Sequence, residues 1–101
     1  ISNSISKPTF LNKEKLDFEY IISVGRLVPL KQFDKLIESY SQSNLPKKNI
    51  HLLILGVGDE QAKLEQKIAN LKLESVVHLV GFKQNVLDYI LNAKFLVLSS
   101  Q

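Results

Sequence analysis

The sequence predicts an α/β fold, a Rossmann-like parallel sheet with helices on both faces. Short apolar runs alternate with amphipathic segments in the order β-α-β-α-β-α-β. The runs are apolar nearly throughout, which is typical of strands that are covered on both sides. The connections are short, and each helix is long enough for a right-handed crossover. We therefore expect the strand order 3-2-1-4, the usual start of a Rossmann-like half.

The first strand is expected from Phe18 to Val24, where the apolar run stops at Gly25. An amphipathic helix is expected next, from Lys31 to Gln42. Its apolar positions recur at i, i+3, i+4 and i+7 and form one stripe that faces the sheet. This stripe consists of Phe33, Leu36, Ile37 and Tyr40. Pro46 then marks the loop that leads to the second strand.

The second strand is expected at Ile50–Leu55 and the third at Val76–Val80, where Gly81 closes it. Between them, Asp59 is a candidate N-cap for the second helix. The inner face of that helix is expected to be formed by Ala62, Leu64, Ile68 and Leu71.

A short third helix and a fourth strand complete the predicted sheet. Asn85 is a candidate N-cap for the helix, and the fourth strand is expected at Lys94–Leu98. The apolar residues of the helix are Val86, Leu87 and Ile90. Residues 1–17 are polar and irregular, so we interpret them as a linker segment and residues 18–101 as the folded domain.

The composition limits the class of protein. The 101 residues make one small domain or a piece of a larger one. The net charge is +3, but the lysines are scattered, so no nucleic-acid partner is expected. A weak attraction to an acidic membrane surface is compatible with this charge. The absence of cysteine excludes disulfides and cysteine nucleophiles, and is compatible with the reducing cytoplasm.

The sequence lacks a long apolar run and lacks methionine, and each absence supports one expectation. No apolar run approaches the roughly 18 residues of a membrane-spanning helix. The chain also contains no methionine, even at position 1. We therefore expect the chain to be a fragment excised from a longer protein.

Arg26 and Lys31 are the leading candidates for a binding role. They lie on either side of Pro29, between the end of the first strand and the predicted start of the first helix. Cations there oppose the helix dipole, and a bound anion such as a phosphate removes that conflict. The alternative is that both are solvated surface cations, and the chemistry alone leaves these interpretations equal.

Two glycine-containing turns are further candidates. Gly56-Val57-Gly58 follows the second strand and lacks the third glycine of a dinucleotide fingerprint. A tight turn into a helix is the favoured interpretation, and close approach of a ligand to bare backbone is the other. The run Gly81-Phe82-Lys83-Gln84-Asn85 is either a ligand-contacting loop or a capped strand-to-helix turn.

The two histidines are interpreted as structural. His51 and His78 both fall within predicted strands, and neither has a histidine or carboxylate at ligand spacing in the sequence. No serine-histidine-acid set, metal cluster or pair of catalytic carboxylates is found.

Four motifs in order resemble the donor-binding domain of GT-B glycosyltransferases of family 4, also called glycosyl transferases group 1. They are Val24-Gly25-Arg26-Leu27 with Lys31, then Gly56-Val57-Gly58-Asp59-Glu60, His78-Leu79-Val80-Gly81-Phe82, and Ala93 to Ser100. Each motif alone is weak, but their joint order and spacing are specific. The resemblance covers nearly the whole chain and implies a truncated half of a GT-B fold.

The resemblance implies specific roles for these residues. Arg26 and Lys31 are expected to act in catalysis by holding the donor diphosphate and stabilising the leaving group. The remaining donor-binding candidates are Gly25, Gly56, Gly58, Gly81, Phe82, Lys83 and Asn85. The parent protein is expected to transfer a hexosyl-type sugar from a nucleotide-diphosphate sugar to a glycan, lipid-linked or other acceptor. The resemblance further suggests a retaining reaction and no metal or other cofactor.

The sequence departs from the family pattern at several points. Leu30 replaces a frequent acidic residue, and Gln32 replaces a frequent glycine. The family's paired glutamates and its acceptor domain are absent from these residues, so the isolated chain is expected to be inactive. It is also expected to self-associate through an open sheet edge. The parent is expected in the cytoplasm, including the inner face of the cytoplasmic membrane.

Two other classes compete with this interpretation. A non-catalytic α/β module that binds a nucleotide or phosphate, such as a receiver-like domain, is the main alternative. A receiver needs acidic residues at its strand ends, and here the first strand ends in Gly25-Arg26. A nicotinamide oxidoreductase needs the glycine fingerprint that is absent.

Overall fold

The structure is a computed structural model that describes residues 16–98. Three strands alternate with helices, as the sequence predicts. The elements are β1 (Glu19–Val24), a 3-10 turn (Pro29–Lys31), α1 (Phe33–Gln42), β2 (Ile50–Leu55), α2 (Gln61–Asn70), β3 (Val77–Gly81) and α3 (Val86–Asn92). Most of the predicted linker lies outside the described residues.

The three strands form one parallel sheet in the order β1-β2-β3. The register places Ile22 opposite Leu53, and Leu53 opposite His78. It shifts between Ile54 and Leu55, so that Leu55 lies opposite Gly81. The predicted parallel α/β class is confirmed, and all three strands end at the same edge of the sheet.

The segment predicted as the fourth strand lies beside β1 but makes only one bridge, from Ile22 to Leu96. The Ile22 N–H donates to the Phe95 carbonyl at 3.1 Å, and the Val97 N–H donates to the Ile22 carbonyl at 2.8 Å. Beyond this bridge, the Val97 carbonyl accepts a hydrogen bond from the Ser23 hydroxyl at 2.8 Å. The predicted position is therefore correct, but the regular strand at Lys94–Leu98 is wrong.

Each face of the sheet carries its own core. One face packs against α1 and α2 through Ile21, Leu52, Ile54, Phe33, Ile37, Tyr40, Leu64 and Ile68. The other face packs against α3 through Tyr20, Ile22, Leu53, Leu55 and Tyr89. The prediction of helices on both faces is confirmed.

A buried tyrosine fastens each core to a backbone carbonyl. The Tyr40 hydroxyl donates to the Ile50 carbonyl at 2.7 Å, and the Tyr20 hydroxyl donates to the Tyr89 carbonyl at 2.7 Å. Burial raises the pKa of both phenols to about 12. Both hydroxyls therefore stay protonated and remain donors at neutral pH.

Several details of the helices differ from expectation. Ala62, Leu71 and Leu87 are exposed rather than on the inner faces. Ala62 lies about 200° around the helix from Leu64, so the two cannot face the sheet together. Leu73, just after α2, is buried in place of Leu71. Glu60, not Asp59, is the N-cap residue of α2, and it makes no side-chain capping bond.

The start of α1 also differs from expectation. Lys31 ends the 3-10 turn, and Gln32 follows in the left-handed conformation, with φ 55° and ψ 40°. The first turn of α1 carries Asp34, which already complements the helix dipole. The helix dipole therefore has an acidic partner in the chain itself, and anion binding by Arg26 and Lys31 stays a prediction. Gln32 stands where the resembling family often has a glycine, and it adopts a left-handed conformation that glycine accepts most easily.

Candidate functional site

A cleft of about 470 Å³ opens where the three strands end. In open parallel sheets this edge is where ligands bind. The lining residues are Val24, Gly25, Arg26, Leu55, Gly56, Val57, Gly58, Gly81, Phe82, Lys83 and Val86. The cleft is thus built from the strand ends, the three loops that follow them and the first residue of α3.

Backbone hydrogen bonds tie the three loops together. The Gly25 N–H donates to the Leu55 carbonyl at 3.0 Å, and the Gly56 N–H donates to the Gly81 carbonyl at 2.9 Å. The Leu27 N–H donates to the Val57 carbonyl at 2.9 Å. Leu27 itself is fully buried. These hydrogen bonds hold the three loops together, so the floor of the cleft is one continuous backbone surface.

Close packing between these loops explains two of the glycines. A Cβ on Gly56, whose φ is 149°, would overlap the carbonyl oxygen of Gly25. A Cβ on Gly58 would lie 2.7 Å from the carbonyl carbon of Leu27. These two glycines let protein backbone approach protein backbone, which agrees with the tight-turn interpretation. Gly81 differs, because its φ is 87° and no atom lies within 4 Å of a Cβ placed there.

The charge of the cleft has one sign. Arg26 and Lys83 are the charged residues of its lining, and no carboxylate belongs to that lining. Arg26 is exposed, and its neighbours Gly25 and Leu27 are held by backbone bonds to the end of β2 and to the loop that follows it. A cleft with two cations and no carboxylate suits an anionic ligand.

Lys31 reaches the margin of this cleft indirectly. A Cβ on Gly25 would lie 3.3 Å from the Lys31 Cε and 3.6 Å from its Cδ, so the lysine stem crosses over Gly25. Lys31 is therefore beside the cleft, although it is not part of its lining.

The structure brings together most of the residues proposed from the sequence. Gly25, Arg26, Gly56, Gly58, Gly81, Phe82 and Lys83 line one cleft. Asn85 instead lies at the N-cap of α3, without a side-chain capping bond, and is not in the lining. The sequence analysis did not name Val24, Leu55, Val57 and Val86 as site residues. The available signals were the strand ends for Val24 and Leu55, the position next to Gly56 for Val57, and the start of the third helix for Val86. The binding roles of all these residues stay predictions.

The two histidines contact each other, which the sequence analysis did not predict. His51 Nδ1 lies 2.9 Å from His78 Nε2, and His51 Nε2 lies 3.3 Å from Asn49 Oδ1. With Asn49 Oδ1 as acceptor, His51 Nδ1 is left to accept the proton of His78. Phe18 stacks on His51 with ring centroids 3.8 Å apart. The sequence did contain one signal for this contact, because each histidine is the second residue of its strand and the two strands are adjacent.

We expect this histidine pair to make stability depend on pH. Burial, and then the neighbouring His78, lower the pKa of His51 below its ordinary value of 6.5, and burial lowers that of His78. As the pH falls below 6.5, the unfolded chain takes up protons before the folded one. The free energy of unfolding should therefore have its full value above pH 6.5 and should decrease as the pH falls toward the folded-state pKa values.

The measurement is urea denaturation between pH 7.5 and 5.5, for the wild type and for His51→Asn with His78→Gln. His51 and His78 are the two histidines of this chain. The double variant should lose stability at pH 7.5 but show a smaller change across the range. Equal pH slopes in both proteins would contradict the prediction.

A family comparison decides between the competing classes. The family model described as "Glycosyl transferases group 1" matches residues 6–101. The chain belongs to this family. The family membership expected from the four motifs is confirmed.

Relatives of this glycosyltransferase domain come from several microorganisms. An uncharacterized glycosyltransferase of Methanocaldococcus jannaschii is 31% identical over 99% of this chain and 24% of its own length. A 4-alpha-N-acetylgalactosaminyltransferase named for a diphospho-undecaprenol substrate, from Campylobacter jejuni, is 35% identical over 81% of this chain and 22% of its own. The amylovoran biosynthesis glycosyltransferase AmsD of Erwinia amylovora is 30% identical over 80% of this chain and 22% of its own. The chain thus spans about a quarter of the length of these relatives.

Solved glycosyltransferases share the fold. Staphylococcus aureus TarM, crystallised with UDP, superposes with a TM-score of 0.77 and 26% identity, over 83% of this chain and 17% of its own. The catalytic domain of the cholesterol-alpha-glucosyltransferase from Helicobacter pylori superposes with a TM-score of 0.68 and 26% identity, over 81% of this chain and 50% of its own. These structures support the assignment of the chain to a Rossmann-like part of a GT-B fold.

Two further observations concern residues 16–98 only. None of the helices there combines the length and apolar character that crossing a bilayer requires. No group of three or more His, Asp or Glu side chains in this range is placed to hold a metal ion.

Proposed function

We propose that this chain forms part of the donor site of a glycosyltransferase and binds the diphosphate of a nucleotide sugar in the cleft at the strand ends. The observation that carries the proposal is the charge of the cleft. It is lined by Arg26 and Lys83 without a carboxylate, and the stem of Lys31 runs to its margin. A concave site with cations beside exposed backbone suits a diphosphate.

In this proposal the cations act on the leaving group. When the bond between sugar and diphosphate breaks, negative charge accumulates on the diphosphate. Arg26 and Lys31 donate charge-assisted hydrogen bonds to it, and these strengthen as the charge grows. We expect these two side chains to provide the positive charge without a resident metal or other cofactor. The nucleotide sugar is a substrate.

The other side of the cleft is proposed to hold the nucleoside. Phe82 is 71% exposed and lines the cleft beside Gly81 and Lys83. An exposed aromatic ring next to a backbone without a Cβ offers a flat surface to a base. Arg26 follows β1 and Phe82 follows β3, and β2 lies between these strands, which separates the proposed phosphate and base regions.

The relatives favour particular substrate classes. TarM was crystallised with UDP, the Campylobacter relative is named for a diphospho-undecaprenol substrate, and the Erwinia relative for amylovoran synthesis. We propose by extension a hexosyl-type donor and a glycan or lipid-linked acceptor, used at the cytoplasmic side of a membrane. Because the chain spans about a quarter of its relatives, we expect the 101-residue chain alone to transfer no sugar.

The proposal is tested by nucleotide binding to the intact protein. Calorimetric titration with UDP, UMP and uridine should show affinity rising with each phosphate, by about tenfold or more for the second one. GDP and ADP, titrated in parallel, test the choice of base. A sugar-release assay with the matching nucleotide sugars then tests transfer.

The outcomes separate the proposed enzyme from a simple binding module. Tight UDP binding with sugar transfer supports the proposal. UDP binding without transfer to any glycan or lipid-linked acceptor favours a non-catalytic nucleotide-binding module. Equal affinity for uridine and UDP would contradict a diphosphate site in this cleft.

A further inference from the structure

Gly25 is a glycine for a different reason from the others in the cleft. Gly56 and Gly81 have positive φ values, and a Cβ on Gly58 would overlap backbone. Gly25 has no positive φ, and the atoms nearest to its missing Cβ belong to side chains. They are the Lys31 Cε at 3.3 Å, the Phe33 Cζ at 3.5 Å and the Lys31 Cδ at 3.6 Å.

The lysine stem runs through the space beside the Gly25 Cα, and we call this space the lysine track. Gly25 cannot retreat, because its N–H is bonded to the Leu55 carbonyl. Phe33 is 2% exposed in the core and cannot move aside. The backbone of Lys31 is also held, since its N–H donates to the Val28 carbonyl at 3.0 Å. The stem of Lys31 is therefore restricted on the side that faces the bare Cα of Gly25.

Confinement of this kind matters for a lysine more than for most residues. The lysine stem loses about 1.5–2 kcal/mol of rotamer entropy when it is fixed. A stem already confined in the free protein has lost part of that entropy before any ligand arrives, which favours binding. The position of the ammonium also decides the length and angle of its hydrogen bonds.

We propose that Gly25, with Phe33, is a positioning residue for Lys31: its missing Cβ is the space through which the lysine stem reaches the cleft. This inference rests on the proposed diphosphate site. A methyl group at residue 25 would come closer to Lys31 Cε than most side-chain contacts allow, and would displace the ammonium while leaving the backbone conformation accessible. A valine would occupy more of the track than an alanine.

The test is a double-mutant cycle in the intact protein, with UDP as the probe. Gly25→Ala should weaken UDP binding about two- to fivefold, and Gly25→Val should approach the loss seen for Lys31→Ala. In the Lys31→Ala background, Gly25→Ala should cost nothing further, because no stem remains to be displaced. Lys35→Ala, on the exposed side of α1, is the control. Circular dichroism and urea midpoints show whether each variant is folded.

The outcomes distinguish this inference from the proposed function. If Lys31→Ala weakens UDP binding but neither variant of Gly25 does, the positioning role is overturned while the diphosphate site stands. If Gly25→Ala weakens binding equally with and without Lys31, its effect does not pass through the lysine, and the inference is again overturned. If Lys31→Ala leaves UDP affinity unchanged, the proposed role of Lys31 fails, and the inference fails with it.

Discussion

Arg26→Ala and Lys31→Ala should each weaken UDP binding by the intact protein about tenfold to a hundredfold. Each substitution removes a hydrogen bond to a charged group, which contributes roughly 1.5–3 kcal/mol. The expectation is firmer for Arg26, because it lines the cleft and both of its chain neighbours are held by backbone bonds to the end of β2 and to the loop that follows it. Its side chain therefore starts from a fixed point.

The loss in rate should exceed the loss in affinity. The charge on the diphosphate is greatest in the transition state, so kcat/KM for the nucleotide sugar should fall more than UDP binding does. Arg26→Lys should recover only part of the activity, because lysine lacks the planar fork that donates two parallel hydrogen bonds. UDP titration and steady-state kinetics give the two quantities separately.

A matched control lies four residues further along the chain, in α1. Lys35 carries the same charge as Lys31 but is exposed on α1 and does not line the cleft. Lys35→Ala should leave UDP affinity and kcat/KM close to those of the wild type. If the Arg26 and Lys31 variants remain folded and also match the wild type, the two residues are solvated surface cations.

The sheet and the location of the cleft could be predicted because their signals are local. An unbroken apolar run such as Ile50–Leu55 indicates a buried strand, and all six of its residues are buried. Parallel strands bring their carboxyl ends to one edge. Residues as distant in the chain as Arg26, Gly56 and Phe82 could therefore be assigned to one site before any contact was known.

The errors arose where tertiary contacts override local pattern. The apolar run at Lys94–Leu98 looks like a strand, but it makes one bridge to β1, and the Val97 carbonyl accepts the Ser23 hydroxyl. The predicted helix begins at Lys31, whereas α1 begins at Phe33 and the left-handed Gln32 separates Lys31 from it. The conformation of a turn residue such as Gln32 is set by its tertiary contacts, and the hydrophobic periodicity of the sequence does not record it.

The histidine pair and the lysine track were not accessible for a related reason. His51 and His78 are 27 residues apart and meet only through the register of β2 and β3. Gly25 was proposed as a binding residue from its motif. Its fit to the Lys31 stem, however, depends on atoms placed by the 3-10 turn. Sequence spacing indicates which residues share an edge, but not which side chains cross over others.

Gly56→Ala should destabilise the protein more than any other single-methyl substitution in the cleft. The added Cβ would overlap the Gly25 carbonyl oxygen, and the φ of 149° is one that L side chains rarely adopt. Strained backbone costs about 1–3 kcal/mol, and overpacking costs about 1–3 kcal/mol more. The expected loss of about 2–6 kcal/mol is large against the 5–15 kcal/mol that typically stabilises a domain.

Relief by small movements is blocked on both sides of Gly56. Its own N–H is bonded to the Gly81 carbonyl, and the N–H of Gly25 is bonded to the Leu55 carbonyl. Moving either loop breaks a backbone hydrogen bond. The strain should therefore appear as lost stability, and in the molecules that remain folded it should displace Gly25 and weaken UDP binding.

Gly81→Ala is the matched control, because it separates backbone conformation from steric overlap. Gly81 also has a positive φ, of 87°, but nothing lies within 4 Å of a Cβ placed there. It should therefore lose only the conformational cost of about 1–2 kcal/mol. Urea denaturation of the two variants measures the difference. If they lose the same stability, the loops at Gly25 and Gly56 are not in contact, and backbone packing does not hold the floor of the cleft together. If Gly56→Ala loses clearly more, close packing of backbone against backbone holds the two strand-end loops in register beneath the proposed diphosphate.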